Sequence, residues 1–263
     1  VSTVPSQTEL LYDLGLEKEV VAITGFCVHP SHWLDEKVII GGTKDLQIEK
    51  IRSLKPDLII ANKEENVKEQ IEELASDFEV YVSDIKSPQD TIELIYVLGK
   101  LLNRKKEAKS LNDKIEETLT EVQENKIQGS CSYFIWKDPY MVVSQDTFIQ
   151  SMIDLTGLHN PMEQTDHRYP EITMDMLSEL QPDVILLSSE PYHFTTAHLH
   201  KIAQYCPESI IKIVDGEMMS WYGSRLEKGL KYVKRLREEV GLILDGKAKS
   251  DKLAPFHGVN RGE

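Results

Sequence analysis

The stretch Leu54-Lys55-Pro56-Asp57-Leu58-Ile59-Ile60 decides the fold, because it returns as Leu180-Gln181-Pro182-Asp183-Val184-Ile185-Leu186. Each copy closes a segment of helical pattern, residues 48–54 in the first and 174–180 in the second. A proline just past a helix stops it, and an aspartate favours the turn. The apolar run that follows is short and rich in β-formers, which marks a buried parallel strand fed by a helix. Pro56 and Pro182 are 126 residues apart. That is too far for a solenoid repeat and suits two similar lobes.

Outward from the first copy, the pattern gives a strand (1–4), a helix (7–14), a strand (20–23), a loop through Trp33, a short strand (38–40), then Gly41-Gly42. After the Leu58 strand come a helix (66–76) and a strand (80–82). Around the second copy lie a strand (133–136), helices at 147–156 and 196–205, a strand (211–214) and a final helix (224–244). Alternating strands and helices define an α/β protein with mostly parallel sheets. The expected organisation is an N-terminal lobe over 1–87, a helical connector over 88–126, a C-terminal lobe over 127–247 and a frayed tail over 248–263. The fold is therefore expected to be two Rossmann-like lobes joined by one long inter-lobe α-helix.

The connector carries no strand signal. Pro88 suits a first helical position, and Ile92, Ile95, Leu98 and Leu101 form one apolar stripe. Asn103 is expected to cap a second helix over about 104–125, with Ala108, Leu111, Ile115, Leu119 and Val122 at helical spacing. Some 22 residues of helix would span roughly 33 Å. Such a strut argues against large lobe closure.

The 263 residues are 40% hydrophobic and 28% charged, with 30 basic against 44 acidic side chains and a net charge of −14. A phosphate-tracking nucleic-acid binder would show a basic stripe instead. An acidic chain is suited to meeting a basic partner. Three widely spaced cysteines, Cys27, Cys131 and Cys206, do not form a disulfide framework. No apolar run reaches the 18 or so residues that a membrane span needs. The chain begins at Val1 rather than Met, so an upstream segment is expected, with or without a signal peptide.

Two α/β lobes, a lobe-spanning helix and the paired Leu-x-Pro-Asp element together resemble the class III, helical-backbone substrate-binding proteins of ABC importers. That group includes receptors for cobalamin, ferric siderophores and haem. The stretch Val4-Pro5-Ser6-Gln7-Thr8-Glu9-Leu10 and Gly42-Thr43 also match it. The cobalamin branch is the most similar: its Ser-Pro-x-x-Thr-Glu opening resembles residues 4–9, and its Arg-x-Pro-x-[ILV] stretch resembles residues 168–172. The chain differs from that branch at Asn62 and Met218, where the branch carries aromatics.

The resemblance implies a ligand held between the lobes, at loops outside the carboxyl ends of the strands. The ligand-binding candidates there are Ser6, Gln7, Phe26, His29, Trp33, Trp136, Tyr140, Arg168, Tyr192, Trp221, Tyr222 and Arg225, with Phe194 alongside. A large macrocyclic ligand needs aromatic area and a few polar groups, which these loops supply. Lys44, Lys63, Lys137, Arg168 and Arg225 would suit an anionic siderophore or haem propionates. The resemblance also implies one acidic residue per lobe docking on arginines of the membrane permease dimer. Glu64, Glu65 and Glu69 are the first-lobe candidates and Glu190 the second; the cobalamin branch's docking position aligns nearest Glu69.

Cys27, His29 and His32 put a thiol and two imidazoles within six residues, a set that could bind zinc or another transition metal, or offer haem an axial ligand. The spacing is no established finger motif. His193, His198 and His200 open a helix, where His-x-His does not share a face. Enzyme motifs are missing: there is no Gly-x-Ser-x-Gly, Gly-x-Gly-x-x-Gly, Walker loop or His-Glu-x-x-His. Asp166-His167 and Asp215-Gly216-Glu217 lack a nameable nucleophile and read as turn-formers.

The sequence thus predicts a monomeric, non-enzymatic solute receptor of an ABC importer, periplasmic or on the outer face of the cytoplasmic membrane. Its expected cargo is a small-molecule metal chelate, cobalamin-like, or else a ferric chelate or haem, with no catalytic cofactor and no nucleic acid. The alternative is a signal-less cytoplasmic protein that binds a metal or cofactor through the Cys27–His32 loop.

Overall fold

A computed structural model describes residues 1–162 and 165–246. The expected frayed tail at 248–263 lies outside the described residues. The chain divides into two compact units. Unit 1 comprises Val1–Ile85, Gln89–Glu116 and Trp221–Leu226. Unit 2 comprises Lys86–Pro88, Glu117–Ser220 and, among described residues, 227–246.

Unit 1 opens with α1 (Pro5–Asp13), β1 (Ala22–Ile23), α2 (Trp33–Glu36), β2 (Val38–Ile39), α3 (Ile48–Leu54), β3 (Ile59–Asn62), α4 (Lys68–Ala75) and β4 (Val80–Ser83). The strand expected over 1–4 shrinks to one residue. Ser2 bridges to both Ile23 and Ile60, linking the parallel pairs β1–β2 and β3–β4. Pro5, whose fixed φ suits a first helical position, turns the chain into α1 straight afterwards. The segment expected as a loop through Trp33 instead ends in the short helix α2. Val1, Ala22, Ile40, Leu46, Ile51, Ile59, Ala61, Ile71 and Leu74 make this unit's core.

Two long helices follow, α5 (Pro88–Leu101) and α6 (Lys105–Gln123), the latter 19 residues and so about 28 Å long. Asn103 does not cap α6. It sits at φ 56 and closes α5, with Arg104 N–H donating back to Gly99 O at 2.7 Å, so its left-handed tolerance serves a helix end. The α6 helix begins in unit 1 and ends in unit 2. Within unit 1 the two helices meet at Gly99, where a Cβ would lie 2.3 Å from Ala108 Cβ.

Unit 2 holds β5 (Cys131–Trp136), β6 (Met141–Val142), α7 (Phe148–Thr156), α8 (Met174–Leu180), β7 (Val184–Ser188), α9 (Thr196–Ala203), β8 (Ile210–Val214), α10 (Gly216–Ser220) and, after its first residue, α11 (Leu226–Leu244). The sheet order is β6-β5-β7-β8, parallel except for β6, which the sequence pattern did not announce. Thr147 and Thr173 cap α7 and α8 by accepting from Gln150 N and Met176 N, both at 3.1 Å. Phe134, Val142, Ile172, Leu177, Ile185, Leu187, Phe194, Leu199, Ile202 and Ile211 are among the residues that fill the core.

The paired element has the same local geometry in each unit. Lys55 and Gln181 end α3 and α8 in the left-handed region, at φ 47 and 40, and each is followed by Pro-Asp and a buried strand. The fold is mixed α/β with mostly parallel sheets. The close contact of α5 and α6 at Gly99 gives a direct test. Gly99→Val forces a β-branched side chain against Ala108 and is expected to cost about 1–3 kcal/mol, typical of overpacking. Chemical denaturation checks it, and an unchanged midpoint would contradict the packing described.

Candidate functional site

In unit 1 the loops at the carboxyl ends of the strands are held by a buried polar network. Gln7 Nε2 donates to Ala61 O (3.2 Å), Ser83 Oγ (2.5 Å) and Tyr222 OH (3.3 Å). Asn62 Nδ2 reaches Ser83 Oγ at 3.0 Å, and Asn66 Oδ1 accepts from Asn62 N and Thr3 Oγ1, both at 2.9 Å. Tyr222 OH also approaches Glu65 Oε1 at 3.5 Å. Burial, then the Glu65 charge, pushes the Tyr222 phenol well above its ordinary value, so it stays neutral and can donate.

Trp221, Tyr222 and Arg225 fall in the stretch expected to belong to the C-terminal lobe, yet they group with unit 1. The physical reason is a buried ion pair: Arg225 Nε and Nη2 donate to Glu9 Oε2 and Oε1 at 2.7 and 2.9 Å. Gly223, at φ 77, lets this segment press on α1, since a Cβ there would sit 2.9 Å from Ser6 O. The guanidinium lies 4.9 Å from the Trp221 ring centroid, within cation–π range. The Trp221 ring also meets His29 edge-on at 5.4 Å. Phe26, 63% exposed, lies over Gly42, where a Cβ would come within 3.0 Å of its ring.

Exposed Phe26, with the half-buried pair His29 and Trp221, makes up an aromatic rim on unit 1. Ser6, Gln7, Tyr222 and Arg225 are buried beneath it and hold it up rather than line it. Trp33 is a clear departure from expectation. It is 0% exposed, with its ring edge-on to Tyr12 at 5.5 Å and Lys37 Nζ 4.9 Å from its centroid, so it belongs to the core.

Unit 2 carries a second aromatic group, layered from core to surface. Phe134 and Phe194 are buried and 6.4 Å apart, and Tyr140 packs on Phe134 at 5.9 Å. Tyr192 lies 4.8 Å from Phe194 and 5.8 Å from Trp136, which is 41% exposed. His198, considered from sequence only as a chelator, turns out to order this group. Its Nδ1 accepts from Thr195 N at 3.0 Å, closing a capping box at the start of α9, and its Nε2 is 3.2 Å from Tyr192 OH. An accepting Nδ1 requires the neutral imidazole with the proton on Nε2. Burial first, then Lys137 and Lys201, lowers the His198 pKa, which agrees with that tautomer. Arg168 is half-buried, and its carbonyl accepts from Ser144 N at 2.9 Å.

Cys27, His29 and His32 do not converge. Cys27 is fully buried, with Thr8 and Thr24 hydroxyls 3.0 and 3.2 Å from Sγ. Burial raises its pKa despite those hydrogen bonds, which leaves a neutral thiol, a poor metal ligand. His29 faces Trp221, whereas His32 stands beside Tyr12 and Glu17.

The glutamates sit on comparable turns. Glu64 and Glu190 each come two residues after a strand, β3 and β7. Asn62 Oδ1 accepts from Glu64 N (2.9 Å) and Glu65 N (3.1 Å). Ser188 Oγ donates to Glu190 O at 2.5 Å. Glu190 Oε1 lies 3.4 Å from Ser220 Oγ. Gly216 allows the close approach, since a Cβ there would fall 2.4 Å from Glu190 Cγ. Glu69 is exposed in the first turn of α4.

Among the described residues no helix is long and apolar enough to cross a membrane. The chain belongs to the periplasmic binding protein family, whose pattern matches residues 1–205. It is a substrate-binding protein, of the class that serves ABC transporters, and not an enzyme. It is 28% identical over 199 residues to an uncharacterised ABC transporter substrate-binding lipoprotein of Bacillus subtilis, a match covering 71% of this chain and 62% of that relative. It is 26% identical over 195 residues to a vitamin B12-binding protein of Vibrio cholerae, covering 72% of this chain and 69% of the relative. The periplasmic heme-binding protein of Roseiflexus sp. RS-1 in apo form shares the fold, with a TM-score of 0.77 at 18% identity, covering 91% of this chain and 98% of that one.

Two outcomes follow from this geometry. Arg225→Met removes the bidentate partner of the buried Glu9 carboxylate, and is expected to cost about 3–5 kcal/mol in urea unfolding. A loss no larger than a surface substitution gives would contradict the pairing. His198 binds its proton less readily folded than unfolded, so its contribution to stability is whole above the ordinary histidine value of 6.5. It is lost as pH falls from there through the lower folded value. The drop in Tm between pH 7 and pH 5 is therefore expected to be smaller in His198→Gln than in the parent protein; an equal drop would contradict the assignment.

Proposed function

We propose that this chain is the solute receptor of an ABC importer and that its cargo is a corrinoid of the cobalamin type. The observation that carries the ligand class is the pairing of exposed or half-buried aromatic rings with basic groups that already have partners within the chain. Phe26, His29 and Trp221 on unit 1, and Trp136 and Tyr192 on unit 2, offer ring surface that a macrocycle can lie against. Four of the five cations that would suit an anionic siderophore already have partners within the chain; the fifth, Arg168, is half-buried. Arg225 is tied to Glu9, Lys63 Nζ to Asp84 at 2.7 Å and Lys137 Nζ to Asp138 at 3.4 Å, while Lys44 Nζ donates to Glu64 O at 2.7 Å. An amide-fringed, largely uncharged ligand fits that balance better than a polycarboxylate. The vitamin B12-binding relative supports the same choice.

One observation favours haem as a second reading. His29 places an imidazole at the face of the aromatic rim, where it would be an axial-ligand donor. A ferric chelate is the third cargo class. The cytoplasmic alternative, which used Cys27, loses support because that thiol is sealed between Thr8 and Thr24.

The receptor works outside the cytoplasmic membrane, either periplasmic or tethered to its outer face, as a monomer that docks on a permease dimer. Glu64, Glu65 or Glu69 on unit 1 and Glu190 on unit 2 supply the acidic contacts. A chain of net charge −14 meeting a basic permease gains mainly in association rate.

Titration of the pure protein with cyanocobalamin, haemin and ferric citrate, followed by tryptophan quenching and calorimetry, tests the cargo. Saturable binding of cyanocobalamin is expected, weakened about tenfold or more, roughly 1.4 kcal/mol, by Trp221→Ala or Phe26→Ala. Binding of haemin alone, lost in His29→Ala, would overturn the corrinoid reading in favour of haem. Glu190→Arg is expected to leave ligand affinity unchanged while reducing uptake in cells carrying the cognate permease; unimpaired uptake would remove Glu190 from the docking surface.

A further inference from the structure

We propose a divalent transition-metal site on unit 1 made of Glu17, His32 and Glu36, separate from the aromatic rim and independent of which cargo the receptor carries. One ligand atom from each of these residues, a carboxylate oxygen or an imidazole nitrogen, lies within 4.8 Å of the others. Among the described residues this is the group of three or more such side chains that comes together. The sequence pointed to His32 as a ligand, but beside Cys27 and His29. The fold removes both of those and supplies two carboxylates instead.

The geometry comes from how the chain is built here. His32 is the residue just before α2, already in helical backbone conformation at φ −65 and ψ −20, and Glu36 is four residues on. Side chains at that spacing share a helix face, the arrangement that lets one turn present two ligands to one ion. Glu17 comes from the turn after α1 and meets them from the opposite side. Its Oε1 is 3.4 Å from His32 Nε2. Metal–ligand bonds of about 2.1 Å in a tetrahedron separate neighbouring ligand atoms by about 3.4 Å. The His32–Glu17 edge therefore already has the length that zinc would require, and a rotation at exposed Glu36 closes the third position.

The surroundings hold this arrangement in place. The Tyr12 ring packs edge-on to His32 at 5.8 Å and to buried Trp33 at 5.5 Å, so Tyr12 links the imidazole to the core. Lys37, next to Glu36 in the chain, is directed elsewhere: its Nζ donates to the Glu17 carbonyl at 2.5 Å and lies over the Trp33 ring. That bond fixes the backbone that carries Glu17 and leaves its carboxylate facing His32. Two carboxylates and one neutral imidazole carry a charge of −2, matched by a divalent ion, and nitrogen with hard oxygen suits Zn²⁺, Co²⁺ or Mn²⁺ rather than Cu(I). Three protein ligands leave at least one coordination position for water, so the site is an open one. Bound metal would clip the α1–β1 turn onto α2.

Calorimetric titration of the metal-free protein with ZnCl₂, and with CoCl₂ followed by its visible absorption, tests the site. One equivalent of either ion is expected to bind, raising Tm. Glu17→Gln, at an exposed position, and His32→Gln, at a half-buried one, are each expected to weaken binding at least tenfold while the far-ultraviolet circular dichroism stays unchanged. Cys27→Ser is expected to bind as the parent does. No saturable binding by the parent protein would overturn the proposal. So would equal affinity in both glutamine variants, or loss of binding in Cys27→Ser.

Discussion

The buried pair between Arg225 and Glu9 is the constraint on which the rest of unit 1's functional end depends. It joins residues 216 positions apart in the chain and draws Trp221–Leu226 onto α1. Both partners are buried, so removing either deprives the other, out of contact with water, of its bidentate partner. The pair does more than fasten a segment. It sets the guanidinium beneath the Trp221 ring, and Trp221 in turn meets His29. Position of the rim, orientation of its indole and compensation of the arginine's charge all follow from one bidentate contact.

Around that contact the two units solve the same problem by related means. Each ends a buried strand of the Pro-Asp element in a small polar side chain, Asn62 or Ser188, that binds the turn beyond it. Each then carries half-buried glutamate on the turn and aromatic rings on nearby loops. In unit 1 the rings rest on an ion pair and a hydrogen-bond network; in unit 2 they rest on a layered stack ordered by His198. Rings braced in this way bind with little ordering cost, which is how a receptor gains affinity without rearrangement.

Much of this was legible in the sequence, and the misses have identifiable causes. The paired helix-Pro-Asp-strand element could be read because its signals are local: a stop, a turn and an apolar run. The same local logic failed at Asn103, since asparagine serves helix starts and left-handed helix ends alike, and only the following geometry decides. The strand at 1–4 failed because Pro5 converts the chain to helix after a single bridging residue. Aromatics in loops are ambiguous by nature. Phe26 and Trp136 proved exposed, while Trp33 and Tyr222 turned inward, and no neighbouring residue distinguishes the cases. Glu9 stood in a recognised motif without an assigned partner, because Arg225 lies at the far end of the chain. The grouping of Glu17 with His32 and Glu36 was hidden for the same reason: it depends on how a turn folds back on a helix that sequence pattern read as loop.

The central claim is that the braced rings at the strand ends are the surface that meets cargo. Hydrogen–deuterium exchange of the protein with and without saturating cyanocobalamin tests it most directly. The account predicts new protection confined to the backbone around residues 25–29, 136–140, 189–194 and 218–222. Saturable binding with protection elsewhere, and none in those four stretches, would contradict it.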